Sequence, residues 1–201
     1  MMDVIVFDLG NVIFSNDWHY HKPERFEAFR EAFEITDESM EAAWDVIWPE
    51  FKRGHITEEE FWQAFFDKAG AKHQDVGLAK QLYRKYQEQI PGMHELVSEL
   101  YGRYRLAVLS NISAEWVDFK LDKWDMRKYF EVIVTSANAG YAKPEQEIYK
   151  ILLKRLGVRA DQCLFIDNTE SKLLPAKQMG FSTLLFESAE QLRAELKSYL
   201  L

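Results

Sequence analysis

Val4-Ile5-Val6-Phe7-Asp8 decides the reading of this chain: four apolar residues in succession, three of them β-branched, stopped by a carboxylate. A strand with one face in water alternates apolar and polar residues. An uninterrupted run implies burial on both faces, as in the parallel sheet of an α/β protein. Three later runs share the form. Leu106-Ala107-Val108-Leu109 ends at Ser110-Asn111, Val132-Ile133-Val134 at Thr135-Ser136, and Leu164-Phe165-Ile166 at Asp167-Asn168. Ser182-Thr183-Leu184-Leu185-Phe186 is a fifth candidate strand.

Working outward, helical patterns separate the later runs, at about 92–101, 113–124, 144–156 and 171–180, with a last helix near 188–200. Strand and helix in alternation specify a doubly wound parallel sheet. Such sheets bind ligands at the carboxyl ends of their strands. The polar residues that stop each run are therefore expected to converge on one site.

Residues 15–90 break the rhythm. Phe26, Phe29 and Phe33 fall at helical spacing, as do Met40, Trp44, Ile47, Trp48 and Phe51, then Phe61, Phe65 and Ala69. Thr57 with Glu60 has the form of a capping box. A fourth helix is expected from near Asp75 to Gln89, before Pro91-Gly92 returns the chain to the core. The division is thus a core of residues 1–14 and 91–201 and an insertion, 15–90, of about four helices. The aromatic residues of the insertion are expected to form its own core.

Composition limits the function. Of 201 residues, 47% are hydrophobic and 29% charged, and the net charge is -8. The acid excess lies mainly on the insertion, which carries 10 basic and 16 acidic residues. No basic stripe marks a nucleic-acid binder. No apolar run approaches the 20 or so residues of a membrane span. Met1-Met2-Asp3 lacks the basic start of a signal peptide, and the single Cys163 fits a reducing compartment, so a cytoplasmic protein is expected. Cys163 lies in an apolar run and reads as a buried, inert thiol.

Four segments together resemble the haloacid-dehalogenase-like hydrolase superfamily: VIVFDLGNVIF, VLSNIS, YAKPEQEIY and LFIDNTESKLLPAKQMGF. The subfamily with a helical cap after the first segment is the most similar, in particular its epoxide hydrolase N-terminal and sugar-phosphate phosphatase members. The resemblance implies a Rossmann-like α/β core with an inserted helical cap. It also implies hydrolysis of a small phosphorylated metabolite through an aspartyl phosphate on Asp8, with Lys143 as the fixed cation. Ser110, Asn111, Gly10 and Asn11 are implied as phosphate contacts, the last two through the backbone. Asp8, the Gly10 carbonyl, Asp167 and Asn168 are the implied ligands of a Mg²⁺ ion.

The sequence departs from the family pattern at three positions. Gly10 stands where phosphatases carry a second Asp that protonates the leaving group. Asn168 stands where a second carboxylate usually binds the metal, which predicts weaker Mg²⁺ affinity because hard-cation sites are tuned by ligand charge. Lys172 replaces an Asn or Asp; it either points into solvent or supplies part of the metal's charge. Two alternative readings follow: a metal-independent, dehalogenase-like hydrolase, against which Asp167 argues, and a weakly active or inactive member that binds a phosphorylated ligand or a protein. In the cap, Trp18, His19, Tyr20 and His21 are candidates for pocket lining or loop surface. Lys52, Arg53 and His55 are candidate anion contacts on a turn facing the core.

Overall fold

The computed structural model describes residues 3–15 and 23–199. His19 and its neighbours Trp18, Tyr20 and His21 lie outside the described residues. The first strand, β1 (Val4–Phe7), is followed by the short β2 (Phe14–Ser15). Four helices come next: α1 (Pro23–Phe33), α2 (Asp37–Lys52), α3 (Glu58–Ala69) and α4 (Val76–Lys85). β3 (Glu88–Gln89), α5 (Met93–Leu100), β4 (Arg105–Ser110) and α6 (Ala114–Lys123) lead to β5 (Val132–Thr135) and the one-turn α7 (Ser136–Ala139). The chain continues through α8 (Gln146–Leu156), β6 (Cys163–Asp167), α9 (Glu170–Gln178), β7 (Ser182–Leu185) and α10 (Ala189–Tyr199).

The five long strands form a parallel sheet in the order β5-β4-β1-β6-β7. The apolar runs are buried on both faces, as their lack of alternation requires. Ile5, Phe7, Leu106, Val108, Leu164 and Ile166 point into one hydrophobic cluster. Val4, Val6, Ala107, Leu109, Cys163 and Phe165 point into another, beneath α8 and α9. Central β1 pairs with β4 on one side and β6 on the other. The winding reverses there, and Asp8, Ser110 and Asp167 end three adjacent strands.

The insertion is tied at its base. β2 pairs antiparallel with β3, Phe14 opposite Gln89 and Ser15 opposite Glu88, and the Ile90 amide donates to the Ile13 carbonyl at 2.9 Å. This pairing overrides local propensity. The helix expected to reach Gln89 stops at Lys85, because Glu88 and Gln89 satisfy their backbone against β2 instead. The capping box of α3 forms as read: the Thr57 hydroxyl accepts from the Glu60 amide, and the Glu60 carboxylate accepts from the Thr57 amide at 2.8 Å.

The cap aromatics do more than make a separate core. Phe29, Phe33, Phe51, Phe61, Trp62, Phe65 and Phe66 are fully buried, and they belong to the same cluster as Phe7, Leu9 and Phe14 of the sheet layer. The hinge of this merger is Trp116 on α6. Its ring stacks on Tyr83 with centroids 3.8 Å apart and meets Phe51 edge-on at 4.8 Å. Its indole N–H donates to Glu58 Oε1 at 2.9 Å, while Arg84 closes on Glu58 Oε2 at 2.6 Å. A buried carboxylate is stable only when paired and hydrogen-bonded, and Glu58 has both. Among the described residues no helix is long and apolar enough to cross a membrane.

Candidate active site

Asp8 follows directly on β1 and is almost wholly buried. Its backbone amide donates to the Ile166 carbonyl at 2.9 Å, continuing the β1–β6 ladder one residue past the strand. Its carboxylate Oδ1 accepts from the Leu9 amide at 2.7 Å. Lys143, on the loop after α7, brings its Nζ to 3.1 Å from Asp8 Oδ1 and 2.5 Å from Asp167 Oδ2. Lys172, in the first turn of α9, approaches the other oxygen of each carboxylate: 3.9 Å to Asp8 Oδ2 and 3.8 Å to Asp167 Oδ1. The side chains of Asp8, Asp167 and Lys143 are shut from water, and that of Lys172 is 25% exposed. Lys172 therefore turns towards the site rather than into solvent.

The two carboxyl groups are driven in opposite directions. Burial pushes the Asp8 pKa up, but the charges of Lys143 and Lys172, the Ser110 hydroxyl and the Leu9 amide together outweigh it, and the net shift is downward. Asp167 is pushed up, first by burial and then by the Asp8 charge, against the pull of both lysines. Asp8 is thus the better-stabilised anion of the pair, the property a carboxylate nucleophile needs.

Asn111, expected to touch phosphate, is otherwise engaged. Its Nδ2 donates to the Lys143 carbonyl at 2.9 Å, and its Oδ1 accepts from the Lys143 amide at 2.8 Å. It clamps the backbone of the lysine. The loop after Asp8 is also partly committed. The Asn11 amide donates to the Phe14 carbonyl at 2.7 Å, and those of Ile13 and Phe14 to the Leu9 carbonyl at 2.9 and 2.8 Å. Asn11 itself sits at φ +56°, the left-handed conformation that lets the loop double back. Gly10 bridges to Phe14 inside the same turn. Asn11 and Asn168 open onto a cleft of about 570 Å³, whose further wall carries Glu187, Ser188 and Glu190.

Residues expected at the site also take structural posts. Thr135 and Ser136, which end β5, are engaged in local and cap-to-core contacts. Thr135 caps α7, and the Ser136 hydroxyl donates to the Lys52 carbonyl at 2.5 Å, tying the end of α2 to the core. Arg53 extends this tie with a 3.0 Å ion pair to Glu145, two residues after Lys143. Glu145 carried no functional signal in the sequence; its role follows from the docking of α2 on the loop of Lys143. His55 is exposed and pairs with Glu50. The Tyr149 hydroxyl donates to the Lys172 carbonyl at 2.6 Å, and burial, with the charges of Asp167 and Asp8, drives its pKa up.

The expected Mg²⁺ ion would draw oxygens from Asp8, Asp167, the Asn168 amide and the Gly10 carbonyl. Oxygen donors suit a hard cation, but affinity follows their charge. Here the charges are matched: two carboxylates face two ammonium groups. Lys172 stands 3.9 Å from Asp8 and 3.8 Å from Asp167, beside the carboxylates that would take the ion. Like unit charges 4 Å apart repel by about 4 kcal/mol near a protein surface, and a divalent ion doubles that. Lys172 in this position opposes the charge of a Mg²⁺ ion that the two carboxylates would otherwise attract.

Residues 2–180 match the family described as haloacid dehalogenase-like hydrolase. Among curated proteins, the chain is 24% identical over 200 residues to drimenol cyclase drtB of Aspergillus calidoustus, covering 98% of this chain but only 36% of that protein. It is 26% identical over 196 residues to flavin mononucleotide hydrolase 1 of Arabidopsis thaliana, covering 97% of this chain and 76% of the relative. Among solved structures, a HAD family enzyme of Bacteroides thetaiotaomicron, in complex with magnesium and inorganic phosphate, superposes with a TM-score of 0.78. That likeness, at 22% identity over 94% of this chain and 96% of the other, is one of fold. A match over nearly the whole sequence, on a parallel sheet whose strand ends gather Asp8, Ser110, Lys143 and Asp167, means that the chain belongs to the haloacid dehalogenase-like hydrolases.

Proposed function

We propose that this hydrolase acts on a small phosphomonoester through an aspartyl phosphate formed on Asp8. The observation that carries the reading is the Lys143 ammonium held between Asp8 and Asp167 at the carboxyl edge of the sheet. A carboxylate and a phosphate dianion repel, so attack on phosphorus needs buried positive charge beside the nucleophile. Lys143 supplies it, and Asn111 fixes where it stands. The flavin mononucleotide hydrolase among the relatives supports a phosphomonoester as substrate.

In the first step an Asp8 oxygen bonds to phosphorus as the bond to the leaving oxygen breaks and the departing group takes the electron pair. In the second, water attacks phosphorus, the bond to Asp8 breaks, and the carboxylate returns as phosphate leaves; the water's proton passes to solvent, from which the departed oxygen takes its own. Ser110, hydrogen-bonded to Asp8, is placed to donate to a phosphoryl oxygen once Asp8 is consumed. The cap shields the reaction from bulk water. Because Trp116 and the Glu58 pairings join it to the core, the cap acts as a docked wall.

The test is Asp8→Asn assayed on an aryl phosphate. Removing a reacting group costs on the order of 10⁴-fold or more in turnover. The variant should melt cooperatively near the wild-type temperature and form no phosphorylated protein. Turnover retained by a pure preparation would overturn the assignment.

A further inference from the structure

We propose that Lys172 is the second cation of the active site, built into the chain, and that it binds the phosphoryl group where a divalent ion would otherwise be needed. The inference rests on the phosphomonoester reading and deepens it. Lys143 and Lys172 divide the two carboxylates between them, Lys143 on Asp8 Oδ1 and Asp167 Oδ2, Lys172 on Asp8 Oδ2 and Asp167 Oδ1. Lys143 is sealed beneath, whereas Lys172 keeps a quarter of its side chain open. An arriving phosphate meets Lys172 first.

The placement is not an accident of helix propensity. Lys172 lies in the first turn of α9, where the helix dipole disfavours a cation. Its main chain is nonetheless anchored, by the Tyr149 hydroxyl on its carbonyl at 2.6 Å and by its own amide on the Thr169 carbonyl at 3.0 Å. Across the opening, Lys52 ends α2 half-buried. Its pKa is lowered by burial, then by Arg53 and by Lys172, against the pull of Glu145. Like charges gather at this mouth, which a dianion relieves. Asn168, an amide in place of a carboxylate, fits the same account, because a site already holding two ammonium groups needs no further anion.

The experiment uses the full chain freed of metal with EDTA. Hydrolysis of p-nitrophenyl phosphate is measured with and without added Mg²⁺, and calorimetry follows binding of Mg²⁺ alone and of inorganic phosphate alone. The expected results are wild-type turnover that Mg²⁺ does not raise, no heat from Mg²⁺, and phosphate binding in EDTA. Lys172→Met should weaken phosphate binding at least ~10-fold, the scale of a lost charge-assisted hydrogen bond, and should open the site to Mg²⁺. Lys172→Arg keeps the charge and should keep phosphate affinity. Lys172→Gln serves as a second neutral variant if the Met form does not melt cooperatively. Wild-type protein that binds Mg²⁺ and needs it for turnover would overturn the proposal, as would unchanged phosphate affinity in the neutral variants. Wild-type protein inert with and without Mg²⁺ would count against the phosphomonoester reading, while the two titrations would still decide the role of Lys172.

Discussion

The Asn111 side chain grips the main chain of Lys143 from both sides, its amide nitrogen on the carbonyl and its amide oxygen on the N–H. The two residues are far apart in sequence, and this clamp sets where the loop between α7 and α8 crosses the end of β4. The Lys143 side chain then reaches Asp8 and Asp167 without freedom to wander.

The clamp predicts a loss in rate rather than in fold. Asn111→Ala removes both hydrogen bonds and leaves Lys143 and Asp8 chemically intact. A displacement near 1 Å in a reacting group can cost about 10²-fold. Steady-state kinetics on an aryl phosphate should show kcat falling by that order with KM changed far less. Asn111→Asp keeps the acceptor for the Lys143 amide and loses the donor, so it should fall between. An unaltered kcat in Asn111→Ala would show that Lys143 is positioned by other contacts.

Gly10 sets the second prediction. It places no acid beside the leaving oxygen, and general acid catalysis is typically worth about 10²–10⁴-fold. Rates across substituted phenyl phosphates should rise steeply as the phenol becomes more acidic, and alkyl phosphates should be poor substrates. Gly10→Asp should flatten that dependence if the turn from Leu9 to Phe14 accepts a side chain. A flat wild-type dependence, with chemistry limiting the rate, would mean that another group delivers the proton. His19 and Asp17, titratable residues that follow the Asp8 segment closely in sequence, would then be the first to replace.

Glu58 joins cap to core, and its removal should be felt as stability. Glu58→Ala strips the partner from the Trp116 N–H and from Arg84. Arg84 is partly exposed and recovers some hydration, so a loss of about 2–3 kcal/mol is expected, the scale of buried donors left unsatisfied. Glu58→Gln keeps one acceptor oxygen, enough for the Trp116 N–H or for Arg84 but not for both, and should lose about half as much. Urea denaturation followed by tryptophan fluorescence reads both values. A loss in Glu58→Ala no larger than an ordinary surface change, about 0.5 kcal/mol, would show that the aromatic stack alone docks the cap.

Cys163 predicts an alkaline weakness. Burial in β6 pushes its thiol from 9.0 up to about 11, only partly opposed by the Arg105 charge. The folded state therefore holds this proton where the unfolded chain has released it. The associated stability is complete below pH 9 and is lost as pH rises through about 11. The loss is on the order of 2–3 kcal/mol from a shift of about two units. Cys163→Ala lacks the titration. The stability difference between wild type and Cys163→Ala should shift by that amount, against wild type, between pH 8 and 11. A difference constant across that range would show that the thiolate is tolerated inside the sheet.

The sequence by itself determined the architecture. Apolar runs without alternation can be satisfied only by strands covered on both faces, and Val4–Phe7, Arg105–Ser110, Val132–Thr135 and Cys163–Asp167 became such strands. Thr57 and Glu60 capped α3 because a capping box acts over a single turn. Asp8, Ser110 and Asp167 were legible because each stops an apolar run, whereas Lys143 was named only through the resemblance of YAKPEQEIY to the family. The tertiary structure alone decided what those residues touch. Lys172 faced solvent or site with equal right until α9 docked beside β6. Asn111 became a clamp because β4 ends under the loop of Lys143. Glu88 and Gln89 left a helix because Phe14 and Ser15 offered them a ladder. Trp116, one aromatic among many, became the joint between cap and core only once Tyr83, Phe51 and Glu58 closed around it. In each case the energy lies in a pair of groups remote along the chain. No periodicity records such a pairing, because the distance between partners exists only after the sheet order is set.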